Sequence, residues 1–252
     1  MKKHQTNSVE MNKGKVLLTE NFDSSLAVRL NEMGYECAAM PGISYEDLST
    51  VIEEYAGVIV ATRIAIDVAL IERAKNLRFI ARAGSGMERI QVAQAEKKGI
   101  ACLSSPEGNA NSVGEHALGL LLAMLHHIPR SSHETARGQW LTEQNRVHEL
   151  EGKTLAVIGY GNTGRAFAQK LKPMNMRVLA YDKYLQKFSD ELVTEVTMEA
   201  VFEQAEALSL HVPLTNETEW MVDDRYLQRF ARPIYLINTS RGKIIRHQAL
   251  LN

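Results

Sequence analysis

The residues best placed to do chemistry in this sequence are three glycines. Gly159, Gly161 and Gly164 are spaced Gly-x-Gly-x-x-Gly, follow the apolar run Leu155 to Ile158 and open a helical pattern over Arg165 to Lys172. A glycine triplet alone is a weak signal, but between a strand pattern and a helix pattern it has the context its mechanism needs. Gly159 permits a tight turn, Gly161 lets the main chain approach a pyrophosphate, and Gly164 lets helix and strand meet closely. Asn162 and Thr163 then fall at a helix start, where unpaired N–H groups and the positive dipole end attract phosphate. Asp182 closes the next strand pattern, and its carboxylate can accept hydrogen bonds from ribose hydroxyls, which favours NAD over the 2′-phosphorylated cofactor. Lys183 beside it is a flexible cation that could accommodate that phosphate. Arg241 follows the apolar run Ile234 to Ile237. Its guanidinium offers a planar fork for a carboxylate and can polarise a carbonyl oxygen, although an exposed arginine after any strand has the same local pattern.

Such residues need a sheet to hold them, and the chain supplies short apolar runs alternating with helical patterns, the signature of parallel α/β architecture. Strands are predicted over Lys15–Thr19, Gly57–Thr62, Phe79–Ala83 and Ala101–Ser104, then Thr154–Gly159, Arg177–Asp182, Ala207–Val212 and Ile234–Asn238. Asp67 to Lys75 reads as a capped amphipathic helix with Val68, Ile71 and Ala74 on one face. After Gly108, Asn111 to His127 is a long, mostly apolar helical run ending at Pro129 and suited to linking two domains. A polar connector over Ser131 to Glu151 precedes the second series of strands.

Composition bounds the function. The chain has 252 residues, 45% hydrophobic and 23% charged, with a formal net charge of -1. That is enough apolar material for a substantial core and no field to attract nucleic acid or an anionic membrane, so a small-molecule partner is expected. The cysteines, Cys37 and Cys102, are too far apart for a metal or redox pair and are expected to be free thiols in a reducing cytosol. No metal site is expected. Residues 1–13 are positively charged without a following apolar stretch and read as a disordered tail. No later segment is apolar enough to span a bilayer.

Five short strings, in order, give the chain a family likeness: Arg82 to Gly86, Ser105 to His116, the glycine fingerprint, His211-Val212-Pro213-Leu214-Thr215 and Asn238-Thr239-Ser240-Arg241-Gly242. With them the chain resembles the D-isomer-specific 2-hydroxyacid dehydrogenase family, and within it the bacterial phosphoglycerate-dehydrogenase-like members. The resemblance implies a flavodoxin-like substrate domain over residues 14–106 and a Rossmann-type NAD-binding domain with its linking helix over 107–252. It implies a cytoplasmic homodimer exchanging a hydride between NAD(H) and a 2-hydroxy or 2-keto acid. The N–H groups of Ser85 and Gly86 would hold the substrate carboxylate in an anion nest. His211, Val212, Pro213 and Thr239 would lie along the cofactor, and Arg241 would be catalytic. His211 reads equally well as a strand-end histidine without a ligand.

The sequence departs from the family pattern in two places. The family's acid–base histidine and its assisting glutamate lie downstream of the arginine motif, whereas the sequence ends at Asn252. On this reading the pair is absent, both domains are incomplete at the C-terminus and the chain as given is inactive. His116, beside Glu115 in the apolar linking helix, reads as a packed or interface histidine, His126 and His127 fall on different helix faces, and His247 has no partner carboxylate motif, so all four are poor substitutes. The alternative is a non-catalytic NAD-binding sensor, comparable in kind to the family's corepressor members. The second departure lies at the end of the strand Val58 to Thr62. Phosphoglycerate dehydrogenases commonly carry an arginine there that helps bind phosphate, and here it is Ala61, which leaves two readings: Arg63 compensates, or the substrate is an unphosphorylated hydroxy acid.

Overall fold

The computed structural model describes residues 13–251. The tail expected over 1–13 lies outside the described residues except for Lys13, whose N–H donates to the Gly34 carbonyl at 2.8 Å. The chain divides into two compact units between Gly108 and Asn109.

The first unit runs β1 (Lys15–Leu18), α1 (Ser24–Glu32), β2 (Glu36–Ala39), α2 (Tyr45–Val51), β3 (Tyr55–Val60), α3 (Val68–Arg73), β4 (Phe79–Arg82), α4 (Val92–Lys97) and β5 (Ala101–Ser104). All pairings are parallel, in the order β2-β1-β3-β4-β5, which is the flavodoxin-like arrangement. All six residues of β3 are buried, as expected of a central parallel strand covered on both faces. Leu17, Val58, Val60 and Ile80 pack under Leu48, Ile52, Leu70 and Ile71 on one face. Val16, Leu18 and Ile59 meet Leu26 and Leu30 on the other. Gly57 is needed because the Phe79 ring lies where its side chain would be: a Cβ would stand 2.1 Å from Phe79 Cζ.

Asp67 caps α3 by accepting from Leu70 N at 2.9 Å. The buried face of that helix is Leu70, Ile71 and Ala74, whereas Val68 is 47% exposed. The expected face is therefore rotated, because burial centres on the 70/71/74 stripe and leaves the first turn at its margin.

The second unit begins with α5 (Ala110–Leu125) and α6 (Ile128–Ala136). The expected single helix to Pro129 is broken earlier. His127 turns left-handed at φ 51, and Pro129 sits in the first turn of α6, where its missing N–H and fixed φ do no harm. The first residues of the expected polar connector are thus helical. The remainder folds back on α6 through Asn145, which donates to Glu134 Oε2 at 2.6 Å and accepts from Arg130 at 3.0 Å.

There follow β6 (Thr154–Ile158), α7 (Asn162–Leu171), β7 (Arg177–Tyr181), β8 (Thr194–Glu195), α8 (Met198–Gln204), β9 (Ala207–Leu210), α9 (Asp224–Leu227) and β10 (Tyr235–Asn238). The sheet order is β10-β9-β6-β7-β8, all parallel. Numbered within the unit this is 5-4-1-2-3, the Rossmann order, with its reversal between β6 and β9. Gly114, Ala117, Leu121 and Leu125 form the buried stripe of α5. Gly114 brings α5 against α7, since a Cβ there would lie 2.9 Å from the Ala166 carbonyl. Among the described residues no helix is long and apolar enough to cross a membrane.

Candidate functional site

In an open parallel sheet, ligands bind beyond the carboxyl ends of the strands where the order reverses. A cavity of about 400 Å³ lies there in the second unit, lined by Ile158, Gly159, Gly161, Asp182, Val212 and Pro213 among others. β6 ends at Ile158, and Gly159 turns the chain at φ +92. His211 N donates to Ile158 O at 2.8 Å, so the two strands splay just beyond this bond. A Cβ on Gly159 would meet the His211 carbonyl at 2.8 Å, and one on Gly164 would stand 2.1 Å from the Gly159 oxygen. Neither position has room for a side chain. At Gly161, by contrast, a Cβ would meet nothing within 4 Å. Gly161 caps α7 without a side chain to satisfy the first N–H groups, leaving these donors and open space to an anion. Asn162 and Thr163 form that first turn.

Asp182 stands immediately after β7. Its Oδ2 accepts from Tyr160 N at 2.9 Å, and its Oδ1 accepts from Tyr184 N at 2.9 Å and Leu185 N at 3.1 Å. The carboxylate is therefore fixed beside the glycine turn, and an ionised carboxylate retains acceptor capacity beyond three donors. The turn is braced from below. The Tyr160 hydroxyl donates to Asp190 at 2.9 Å, Arg165 pairs with the same carboxylate at 3.0 Å, and Phe188 stacks on the Tyr160 ring. Burial, then the Asp190 hydrogen bond, pushes the Tyr160 phenol far above its ordinary range. The far wall of the cavity is apolar, with Met198, Phe202, Met221 and Tyr226. A glycine turn with free donors, a fixed carboxylate and an apolar slot together fit pyrophosphate, ribose and adenine.

His211 also lines the cavity, but its ring is buried. Nε2 shares a hydrogen bond with Ser209 Oγ at 2.9 Å, and the ring lies tilted on Phe167. Nδ1 is buried without a partner. Burial lowers the pKa to about 4, so the imidazole is neutral at pH 7. In the unfolded chain the same group titrates at 6.5, so stability is complete above pH 6.5 and is lost as pH falls toward 4. At pH 5 the loss from this group is about 2 kcal/mol, at 1.36 kcal/mol per pKa unit. Urea unfolding at pH 7 and pH 5 should show His211→Gln losing less stability than the wild type. An equal loss in both would remove His211 as the cause.

At the end of β10, Asn238 organises the arginine turn. Its amide donates to the Arg241 carbonyl at 2.9 Å, and its Oδ1 accepts from Ser240 N at 3.0 Å. Ser240 Oγ ties the turn to Leu210 O at 2.9 Å, beside the end of β9. Arg241 is half-buried, with Nη1 donating to Ser240 O at 2.9 Å. Thr239 Oγ1 is buried without a partner. His247 is exposed and packs edge-on to Trp220, while His116 lies exposed on α5.

In the first unit, Ser85 and Gly86 follow β4, and among the described residues neither N–H donates to another group of the chain. Gly84 adopts φ +139 against the Arg82 guanidinium. Arg63 is exposed after β3, with Nη2 3.4 Å from Thr19 O, and its carbonyl accepts from Arg89 at 2.8 Å. The carboxyl end of this sheet thus gathers Arg63, Arg82 and Arg89. Of these the sequence reading gave a binding role only to Arg63; Arg82 entered it as the first residue of a family string at the end of β4, and Arg89 belongs to no motif. Among the described residues no group of three His, Cys, Asp or Glu is arranged to hold a metal ion.

Residues 118–252 match the family model described as "D-isomer specific 2-hydroxyacid dehydrogenase, NAD binding domain". The chain is 32% identical over 238 residues to the D-3-phosphoglycerate dehydrogenase of Archaeoglobus fulgidus, covering 94% of this chain and 45% of that protein. It is 35% identical over 205 residues to the hydroxypyruvate reductase of Thermotoga maritima, covering 81% and 67%. The NAD-dependent formate dehydrogenase of Staphylococcus aureus, solved in complex with NAD, superposes with a TM-score of 0.78 at 29% identity, covering 94% of this chain and 76% of that one. The chain spans about half the length of the phosphoglycerate dehydrogenases it matches.

Proposed function

The chain belongs to the D-isomer-specific 2-hydroxyacid dehydrogenase family, and from that premise we propose that it serves the NAD-dependent interconversion of a D-2-hydroxy acid and its 2-keto acid. The observation that carries this reading is the glycine turn joined to a fixed Asp182 at the Rossmann reversal. In the proposed division of labour, residues 14–106 bind substrate and residues 107–252 bind the dinucleotide. Gly159, Gly161, Gly164 and the first turn at Asn162 and Thr163 hold the pyrophosphate. Asp182 accepts from the ribose hydroxyls, and His211, Val212, Pro213 and Thr239 bound the remainder. When bound, the cofactor would supply or receive the hydride, and the hydroxyl proton would pass to or from the acid–base histidine that the family resemblance expects downstream of the arginine motif. Ser85 and Gly86 present main-chain N–H groups to the substrate carboxylate. Arg241 polarises the reacting carbonyl oxygen. Arg63 takes the phosphate if the substrate is 3-phosphoglycerate. The protein works as a homodimer in the cytoplasm.

The test is NADH oxidation by the purified protein with 3-phosphohydroxypyruvate, hydroxypyruvate, glyoxylate and pyruvate, run beside calorimetric titration with NAD and NADP. In a chain that also carries the family's acid–base pair, turnover of at least one keto acid to the D-hydroxy acid is expected, whereas the 252-residue chain is expected to show essentially none; NAD should be bound more tightly than NADP. Asp182→Ala should narrow that preference. The ratio of affinities is the quantity to read, because the substitution also strips three N–H groups of their acceptor. NAD binding without turnover of any of these acids by the chain that carries the pair would favour a cofactor sensor, and failure to bind either dinucleotide would sink the reading.

A further inference from the structure

Two cationic side chains line the dinucleotide cavity, Lys183 and Arg229, and a carboxylate already engages each. Arg229 pairs with Glu199 at 3.3 Å and lies 4.0 Å over the Phe202 ring. Lys183, the residue after Asp182, places Nζ 2.7 Å from Glu217 Oε2, and the same oxygen accepts from the Tyr184 hydroxyl at 2.7 Å. Glu217 comes from the loop after β9 and Lys183 from the loop after β7, the two strands that flank β6. The pair therefore ties together the two sides of the reversal, and Asp182, Lys183, Tyr184 and Glu217 all line the one cavity. The loop carrying Glu217 is held by its own threonines. Thr218 Oγ1 donates to Pro213 O at 2.6 Å and accepts from Thr215 N at 2.8 Å, while Glu217 N donates to Thr215 Oγ1 at 3.3 Å.

We propose that Glu217 is a specificity-determining residue for the cofactor, acting by engaging Lys183 so that a 2′-phosphate beside Asp182 finds no available cation. This rests on reading the cavity as the adenosine end of a dinucleotide site. A lysine next to the ribose carboxylate would by itself soften discrimination against NADP, because a mobile ammonium can follow a phosphate. With its charge matched by Glu217, the cavity presents two carboxylates, Asp182 and Glu217, against two paired cations. A dianionic group entering there must displace Glu217 from Lys183 or stand beside both acids. The bond to Glu217 holds the Lys183 pKa above its ordinary value, and the bond to Lys183 holds that of Glu217 below its own. Both side chains are about half exposed, so the pair carries little of the fold's stability, and its removal is a clean probe of selectivity.

The experiment is calorimetric titration of NAD, NADP and adenosine 2′,5′-bisphosphate into the wild type, Glu217→Gln, Glu217→Ala and the double variant Lys183→Ala/Glu217→Ala, with melting curves to verify folding. NADP and the bisphosphate should bind the Glu217 variants about tenfold more tightly than the wild type, the scale of one charge-assisted hydrogen bond gained. NAD affinity should change little. The preference should narrow without reversing, since Asp182 remains, and the double variant should lose the gain. An unchanged ratio of NAD to NADP affinity in both Glu217 variants, or a gain that persists without Lys183, overturns the proposal while leaving NAD binding intact. A wild type that binds none of the three ligands overturns the underlying cofactor reading, and the inference with it.

Discussion

Valine in place of Gly164 is expected to abolish NAD binding and to destabilise the 109–252 unit, whereas alanine in place of Gly161 is expected to weaken NAD binding with stability almost unchanged. The difference lies in what each new Cβ meets. At Gly164 it would stand 2.1 Å from the Gly159 oxygen and 3.1 Å from Val157 Cγ1. The first neighbour is main chain and cannot rotate away, so α7 must lift off β6. Overpacking of a filled interior typically costs about 1–3 kcal/mol, and a main-chain clash belongs at the upper end. At Gly161 the new methyl would enter open space, which on the proposed function the pyrophosphate occupies. Chemical denaturation and NAD titration of the two variants side by side would check this. Equal stability losses would mean that the turn is not held as described, and an unimpaired Gly161→Ala would put the phosphates elsewhere.

In a chain that also carries the family's acid–base pair, Arg241→Lys is expected to lower kcat/KM for the preferred keto acid by about 10²–10³-fold, as when a transition-state hydrogen-bond donor is lost elsewhere, a loss of about 2.7–4 kcal/mol. Lysine keeps the charge but not the planar fork of donors. Stability should change little, because Asn238 anchors the turn through main-chain groups that the substitution leaves in place. Steady-state kinetics and a melting curve separate the effects. A variant with near-normal kcat/KM would move Arg241 out of the active site.

Much of this site is legible in the sequence because its parts are local. The glycine spacing, the apolar run before it and the acid at the next strand's end lie within a single βαβ unit, and the chemistry of each follows from its own neighbourhood. The same holds for the sheets, whose central strands are continuous apolar runs. The pieces that escaped reading are short or depend on distant partners. β2 (Glu36–Ala39) is a partly exposed edge strand whose apolar residues are small, and β8 has two residues, so neither makes a run of large apolar side chains. The break after α5 depends on a left-handed His127, which no residue pattern announces. Glu217 is 34 residues from Lys183, and Asp190 is 30 from Tyr160, so neither pairing has a local signature. His211 shows the opposite case: its motif was plain, but the direction of its ring was not. Packing on Phe167 and the bond to Ser209 turn the imidazole into the core.

The three main-chain donors that hold Asp182 have a kinetic consequence. Two belong to the residues that follow the carboxylate and one to the glycine turn after β6, so Asp182 loses its rotational freedom when the unit folds and not when a ligand arrives. Capture of a ribose then immobilises the ligand alone, and association need not wait for this side chain to find its rotamer. Differences in residence time among adenosine ligands should accordingly arise at the exposed rim around Lys183 and Tyr184, while the carboxylate behaves as a fixed post.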